Sequence, residues 1–196
     1  MRLFAVLAAA AFSLSGCAAL NPPPPEPEMT PTLATMRWDH RPEASEWTEA
    51  GFAAMETHGA SLLEMVPADI AAWCPGYETA TREERQAFWT GLLSALAEHE
   101  STWNPEAVGG GGRWFGLVQI APATARSYGC AAQSGSALRD GVANIDCAVR
   151  IAARQVARHG TVSRGMRDWG PFHSASKRED MRGWVSEQSY CAAPAQ

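Results

Sequence analysis

The stretch from Thr81 to Pro105 leaves the chain least freedom. Thr81 precedes Arg82-Glu83-Glu84, a T-x-x-E capping box that starts a helix. Phe88, Leu92, Ala95, Leu96 and His99 then recur at steps of three and four, and Trp89, Leu93, Leu96 and Glu100 form a neighbouring stripe. Asn104-Pro105 should stop this helix, because the residue before a proline is pushed out of the helical region. A second strong helix is expected from about Asp140, with Val142, Ile145, Val149, Ala152 and Val156 on one side and Gly160 at its end. A last short helix is expected over Ser176 to Trp184.

Upstream, residues 45–77 have a helical pattern broken at Gly59, Pro67 and Pro75. Their apolar residues (Trp47, Phe52, Met55, Leu62, Leu63, Met65, Ile70, Trp73) read as core. After the central helix comes the Gly109–Gly112 run, expected to form a flexible rim, and then Trp114 to Ile120, strand-like at best. There are no internal repeats, and few other strand candidates. The fold class is therefore mainly α. A chain of 196 residues, 46% of them hydrophobic, suits one domain plus an accessory segment and excludes global disorder.

The N-terminus reads as an address. Met1-Arg2 precedes an apolar run from Leu3 to Leu14, the pattern of a secretory signal and too short to span a bilayer. Leu14-Ser15-Gly16-Cys17 resembles a bacterial lipobox, which implies removal of residues 1–16 and a lipidated Cys17. Ordinary secretion, with cleavage after a small residue such as Ala19, is the alternative. Two acyl signals anchor a protein stably, so Cys17 would hold the chain on a membrane without any helix. Six of residues 21–31 are proline, so the stretch from Cys17 to residue 35 reads as a semi-rigid linker, residues 18–35 being able to reach ~55 Å, with a disordered tail as the alternative.

Four cysteines remain: Cys74, Cys130, Cys147 and Cys191. An even number in an exported chain suggests two disulfides, and no C-x-x-C spacing points to zinc or redox chemistry. Three pairings are possible. Cys130 and Cys147 flank one loop and one helix start, which favours Cys130–Cys147 and leaves Cys74–Cys191 to tie the N-terminal helices to the C-terminus.

Sixteen Lys+Arg against 21 Asp+Glu leave no basic surplus for phosphates, so no nucleic-acid partner is expected. The five histidines are scattered with no H-E-x-x-H, the glycine run lacks a following Lys-Ser/Thr, and no G-x-S-x-G elbow occurs. No metal and no organic cofactor are expected.

Glu100 is the residue with chemistry in it. It follows Leu96 by four positions and Leu93 by seven, which puts it on the buried face at the helix C-terminus, the negative end of the dipole. Poor solvation and the dipole both disfavour ionisation, so its pKa should be raised and it could donate a proton near neutral pH. On periodicity alone, a surface glutamate at a frayed helix end is the plainer reading. Glu98 and Glu106 read as solvated.

The surrounding string adds to this. Residues 96–105 read Leu-Ala-Glu-His-Glu-Ser-Thr-Trp-Asn-Pro, residues 116–120 read Gly-Leu-Val-Gln-Ile, and Ala121-Pro122-Ala123-Thr124-Ala125 follows. Together they resemble the Glu-Ser and Gly-Leu-Met-Gln-Ile blocks of the soluble lytic transglycosylase (SLT) domain, over about Phe88 to Val156. The resemblance implies a lysozyme-like fold: helices around a sugar cleft, with a small irregular β element. It implies peptidoglycan glycan strands as substrate and non-hydrolytic cleavage of the MurNAc–GlcNAc bond to 1,6-anhydroMurNAc ends. Glu100 would be the single acid/base. Ser101 and Gln119 would contact substrate, Gly116 and Leu117 would shape the cleft wall, and Trp103 or Trp114 could stack on sugars, although a core role is the plainer reading for any one Trp.

The family's later Ala-Tyr-Asn-Ala-Gly block, whose Tyr orients the glutamate, has no counterpart, because no Tyr-Asn pair occurs in the chain. The comparable region is Met166-Arg167-Asp168-Trp169-Gly170-Pro171-Phe172-His173, where Trp169 would take the Tyr's place and Asp168 would be a second carboxylate. Trp169 could only donate a hydrogen bond.

The expected organisation is a signal peptide at 1–16, the lipidated Cys17 and linker to 35, a helical packing segment at 36–80, and the SLT-like catalytic domain at 81–191. The implied location is the periplasmic face of a Gram-negative outer membrane, since Ala18 follows the acylated Cys. A hydrolytic lysozyme using the same cleft and a non-catalytic wall-binding lipoprotein are the alternatives.

Overall fold

The computed structural model describes residues 34–193. The signal peptide, Cys17 and nearly all of the linker lie outside the described residues.

Helix α1 (Ala44–Glu56) and the short α2 (Ala60–Glu64) come first, and single 3-10 turns follow at Ile70–Ala72 and Tyr77–Thr79. The breaks fall where Gly59, Pro67 and Pro75 interrupt the helical pattern. Of the apolar residues expected in the core here, Trp47, Met55, Leu62, Leu63, Ile70 and Trp73 are buried, while Phe52 and Met65 are partly covered.

The central helix α3 (Arg82–Ser101) begins with the predicted capping box: Thr81 Oγ1 accepts from the Glu84 N–H at 3.2 Å, and the Thr81 N–H donates to Glu84 Oε2 at 2.7 Å. Every residue from Gln86 to Ala97 is buried, so α3 is covered on all sides and forms the axis of the fold. It stops at Ser101, short of Asn104-Pro105. Thr102 and Trp103 both adopt left-handed backbone, and the Trp103 indole N–H donates back to the Ser94 carbonyl at 2.9 Å, which turns the chain early.

A hairpin follows, β1 (Val108–Gly109) paired antiparallel with β2 (Trp114–Phe115). Its turn requires glycine, because Gly110, Gly111 and Gly112 all have positive φ. Helix α4 (Pro122–Tyr128) leads through a 3-10 turn at Ala137–Arg139 to α5 (Gly141–His159). Asp140 caps α5 by accepting the Ala143 N–H at 2.9 Å, and the left-handed Gly160 closes it. Ile145, Val149, Ala152 and Val156 are buried as expected, but Val142, in the first turn, is 41% exposed. Helix α6 (Val162–Gly165), a 3-10 turn at Gly170–His173 and α7 (Ala175–Ser186) complete the body. Helix α7 is a little longer than expected because Ser174 caps it by accepting the Lys177 N–H.

The core lies between the α3 axis and α5, with α1 bridging them and α7 closing the other side of α3. Two disulfides join Cys130 to Cys147 and Cys74 to Cys191, the pairing expected from the sequence. The N-terminal end of the described chain is also fixed. Trp38 is fully buried, with its indole N–H donating to Thr48 Oγ1 at 2.9 Å. The Arg37 N–H donates to Ser94 Oγ at 2.9 Å, and its guanidinium grips Glu98 of α3 at 2.6 Å and Asp180 of α7 at 2.6 Å. Glu98 is therefore paired, not simply solvated. Glu106 is exposed and pairs with Arg139 at 3.1 Å.

Candidate active site

Glu100 lies in the last turn of α3, half-buried, on the floor of a cleft of about 200 Å³ lined by Glu100, Trp114, Gln119, Asp168, Trp169 and Gly170. A smaller hollow of about 60 Å³ shares Trp114, Gln119, Asp168 and Trp169 and extends the cleft towards Ile120, Thr124 and Ile151. One side thus comes from the hairpin and the loop after it, and the other from the segment between α6 and α7.

Burial pushes the Glu100 carboxyl up to about 7, against the Lys177 ammonium and the Gly170 backbone N–H, which both pull it down. The direction is the one expected from the sequence. Near neutrality this group can hold a proton and release it.

Gln119 is held in left-handed backbone, with φ +51°. Its side-chain amide donates to the Ala107 carbonyl at 3.2 Å and the Gly116 carbonyl at 2.9 Å, which fixes the side chain against the hairpin. The loop itself is pinned by Asn144 of α5, which is fully buried. Its amide donates to the carbonyls of Phe115 at 3.0 Å and Leu138 at 2.8 Å, and its oxygen accepts the Val118 N–H at 3.0 Å. Gly116 has φ +83°, and a Cβ there would lie 2.1 Å from the Leu138 carbonyl oxygen, so only glycine fits. Gly116 and the fully buried Leu117 support the wall from behind and do not line the cleft.

Trp114 is the exposed aromatic of the cleft, at 41%. Its ring lies against Gly110, while the Arg113 guanidinium sits 4.7 Å from the ring centroid on a side chain tied to the Gly110 carbonyl. Trp103 packs inward instead, edge-on to His40. Ser101 is beside Glu100 in sequence but is not among the cleft-lining residues. Its hydroxyl donates to the Ala97 carbonyl at 3.2 Å and accepts the Asn104 N–H at 3.1 Å, so it closes the turn after α3.

Trp169 is buried and forms part of the wall, and its indole N–H donates to the Val118 carbonyl at 2.9 Å. That single donor is spent on the loop, not on Glu100. Asp168 faces the same cleft. Its Oδ2 accepts from Tyr128 Oη at 3.1 Å and from Gln155 Nε2 at 2.9 Å. Burial and the adjacent Asp168 raise the Tyr128 pKa, which keeps the phenol a donor. Tyr128, Gln155, Gly170, Lys177 and Asn144 carry no motif signal, because four different elements bring them together. Among the described residues, no three His, Cys, Asp or Glu gather as a metal site.

The transglycosylase SLT domain family matches residues 79–170, a span that holds Glu100, the hairpin, Gln119, Asp168 and Gly170. Residues 79–170 are a transglycosylase SLT domain. No curated protein matches the chain in sequence. Among solved structures, a glutamate-to-glutamine mutant of Bd0314 DslA superposes with a TM-score of 0.74, and the wild-type form 2 and a second such mutant with 0.72. Each is 24% identical and covers 82% of this chain and 100% of its own. At that identity the likeness shows the fold, which is the lysozyme-like one of the SLT domain. The matched span carries both blocks noted in the sequence, with Glu100 of the first on the cleft floor and Gln119 of the second on its wall.

Proposed function

We propose that this SLT domain is a peptidoglycan lytic transglycosylase in which Glu100 is the general acid and then the general base. The observation that carries the reading is a carboxyl with its pKa raised to about 7 on the floor of a cleft walled by Gln119 and Trp169. Protonated Glu100 gives its proton to the glycosidic oxygen as the bond to MurNAc C1 breaks. The substrate's N-acetyl oxygen stabilises the cationic C1. The Glu100 carboxylate then takes the proton of the C6 hydroxyl as that oxygen closes on C1, which leaves a 1,6-anhydro end and restores the acid. Lys177 and the Gly170 N–H favour the carboxylate between the two transfers.

Trp114 offers an exposed face on which a sugar ring can stack, and Gln119 offers an amide already held in place. The lipobox-like segment supports attachment through Cys17 to the periplasmic face of a Gram-negative outer membrane, and the proline-rich stretch supports a spacer towards the wall.

Asp168 favours a second reading. A carboxylate fixed by Tyr128 and Gln155 in the same cleft is placed to take a proton from water, and hydrolysis would follow.

The experiment is incubation of the full chain and its Glu100→Gln variant with purified sacculi, with the soluble products weighed by mass spectrometry. Anhydro ends from the parent and a loss of roughly 10²–10⁴-fold in the variant are expected. Ends heavier by one water would assign hydrolysis. Binding to sacculi without release would leave a wall-binding protein, and equal release from both proteins would remove Glu100 from the chemistry.

A further inference from the structure

A cavity of about 360 Å³ is lined by Ser163, Arg164, Arg167, Phe172, Arg178 and Arg182, none of which lines the cleft. Four arginines around one hollow stand out in a chain whose formal charge is −5. They come from two elements facing each other. Arg164 lies in α6 and Arg167 three residues on, just beyond its end, and Arg178 and Arg182 lie four apart on one face of α7.

Most of this charge is unopposed. Arg182 pairs with Glu179, but among the described residues no carboxylate pairs with Arg164, Arg167 or Arg178. Arg178 is instead aimed by donating to the Phe172 carbonyl at 2.7 Å. Phe172 is itself buried and stacked on Trp73 at 5.6 Å, so the floor of the cavity is fixed. Like charges held together around a rigid hollow repel one another unless an anion joins them, and guanidinium groups match carboxylates in a two-pronged geometry.

The hollow and the cleft take lining residues from the same stretch of chain, 167–172. Arg167 is next in sequence to Asp168, and Phe172 lies two residues beyond Gly170, both cleft residues. Helix α7 straddles the two, since the Lys177 charge reaches Glu100 while Arg178 faces the hollow. A ligand in the hollow is therefore a neighbour of a glycan strand in the cleft.

We infer that this arginine-lined hollow binds the carboxylates of the acidic stem peptide carried by the strand that occupies the cleft. This rests on the proposed action on peptidoglycan. A lipid surface fits the hollow less well, because none of the large exposed apolar residues (Val66, Val108, Trp114, Val142) lines it and its one aromatic, Phe172, is buried. A peptide of a few residues suits its mixture of guanidinium groups, one hydroxyl and an aromatic floor.

The test uses the full chain and an Arg164→Gln/Arg167→Gln pair. Both side chains are exposed and have no described carboxylate partner, so the variant should keep or slightly raise the Tm of the ligand-free protein. Steady-state cleavage is measured on glycan strands bearing stem peptides and on strands stripped of them by an amidase. Binding of the free stem peptide is measured by titration calorimetry. On stem-bearing strands the variant should show a KM raised roughly tenfold with kcat kept, since the lost contacts are charge-assisted hydrogen bonds to the ground state and transition state alike. On stripped strands the two proteins should agree, and peptide binding should weaken in the variant. Identical KM on stem-bearing strands together with identical peptide binding would overturn the inference. So would binding of the parent to phosphatidylglycerol vesicles, lost in the variant, with no binding of peptide. If neither protein cleaves any strand but the parent alone binds the peptide, the hollow stands and the reading of the cleft falls.

Discussion

A carboxyl half out of water at the end of a helix holds its proton longer than one in solution, and at Glu100 this has a cost in stability. Its folded pKa, raised from 4.5 to about 7, means that the native state binds more proton than the unfolded chain between those values. Stability is therefore full below about pH 4.5 and falls as pH rises to about 7. The Glu100→Gln variant cannot ionise. Relative to the parent it should gain up to roughly 3 kcal/mol between pH 4 and pH 8, measured by urea unfolding at both. A gap that does not change with pH would show that Glu100 ionises as it does in solution. The spacing to Leu93 and Leu96 already placed this residue on the buried face. Asp168 was marked only by its place in the segment comparable to the family's tyrosine block, and nothing marked Tyr128 or Gln155, since the contacts among the three span 13 to 40 positions of sequence. Ser101 shows the opposite case: it belongs to a motif, but its hydroxyl is occupied by the turn it closes.

Among the elements, helices with caps were readable and the loop that makes the site was not. Thr81 with Glu84, and Asp140 with Gly160, mark helix ends through local hydrogen bonds, so neighbouring sequence suffices. Helix α3 ends near Asn104-Pro105, three residues ahead of Asn104, because Trp103 reaches back to Ser94, a contact that acts before Pro105 can. The turn from Phe115 to Ile120 is held mainly by Asn144, which lies on a helix more than twenty positions away. Asn144→Ala removes three hydrogen bonds and leaves buried partners unpaired, so a loss of about 3 kcal/mol is expected, measured by thermal unfolding. Hydrogen exchange should show the Val118 amide losing protection. Unchanged protection there would mean that the Phe115–Ile120 bridge holds the loop without Asn144.

At the scale of the whole molecule, Cys74–Cys191 closes a loop of 117 residues that contains the hairpin, α5 and the cleft. Cys74→Ala/Cys191→Ala should lower stability by about 4 kcal/mol, measured by urea unfolding, and should cost more than the same change at Cys130 and Cys147, which close only 17 residues. Equal losses would mean that loop length does not set the stabilisation. This pairing was legible because so few are possible. The way residues 36–80 wrap the core was legible only as a set of apolar positions, since the packing of Trp47, Met55 and Trp73 depends on partners far along the chain. Arg37 adds a mechanical consequence. A pull on the chain ahead of Ala34 reaches the body at Thr35, whose carbonyl accepts from Tyr190 Oη, at the buried Met36 and at Arg37, which passes load in shear to Glu98 and Asp180. Glu98 is two residues from Glu100 and Asp180 three from Lys177, so tension that reaches Arg37 would be passed to the two helices that hold the proton-bearing end of the cleft.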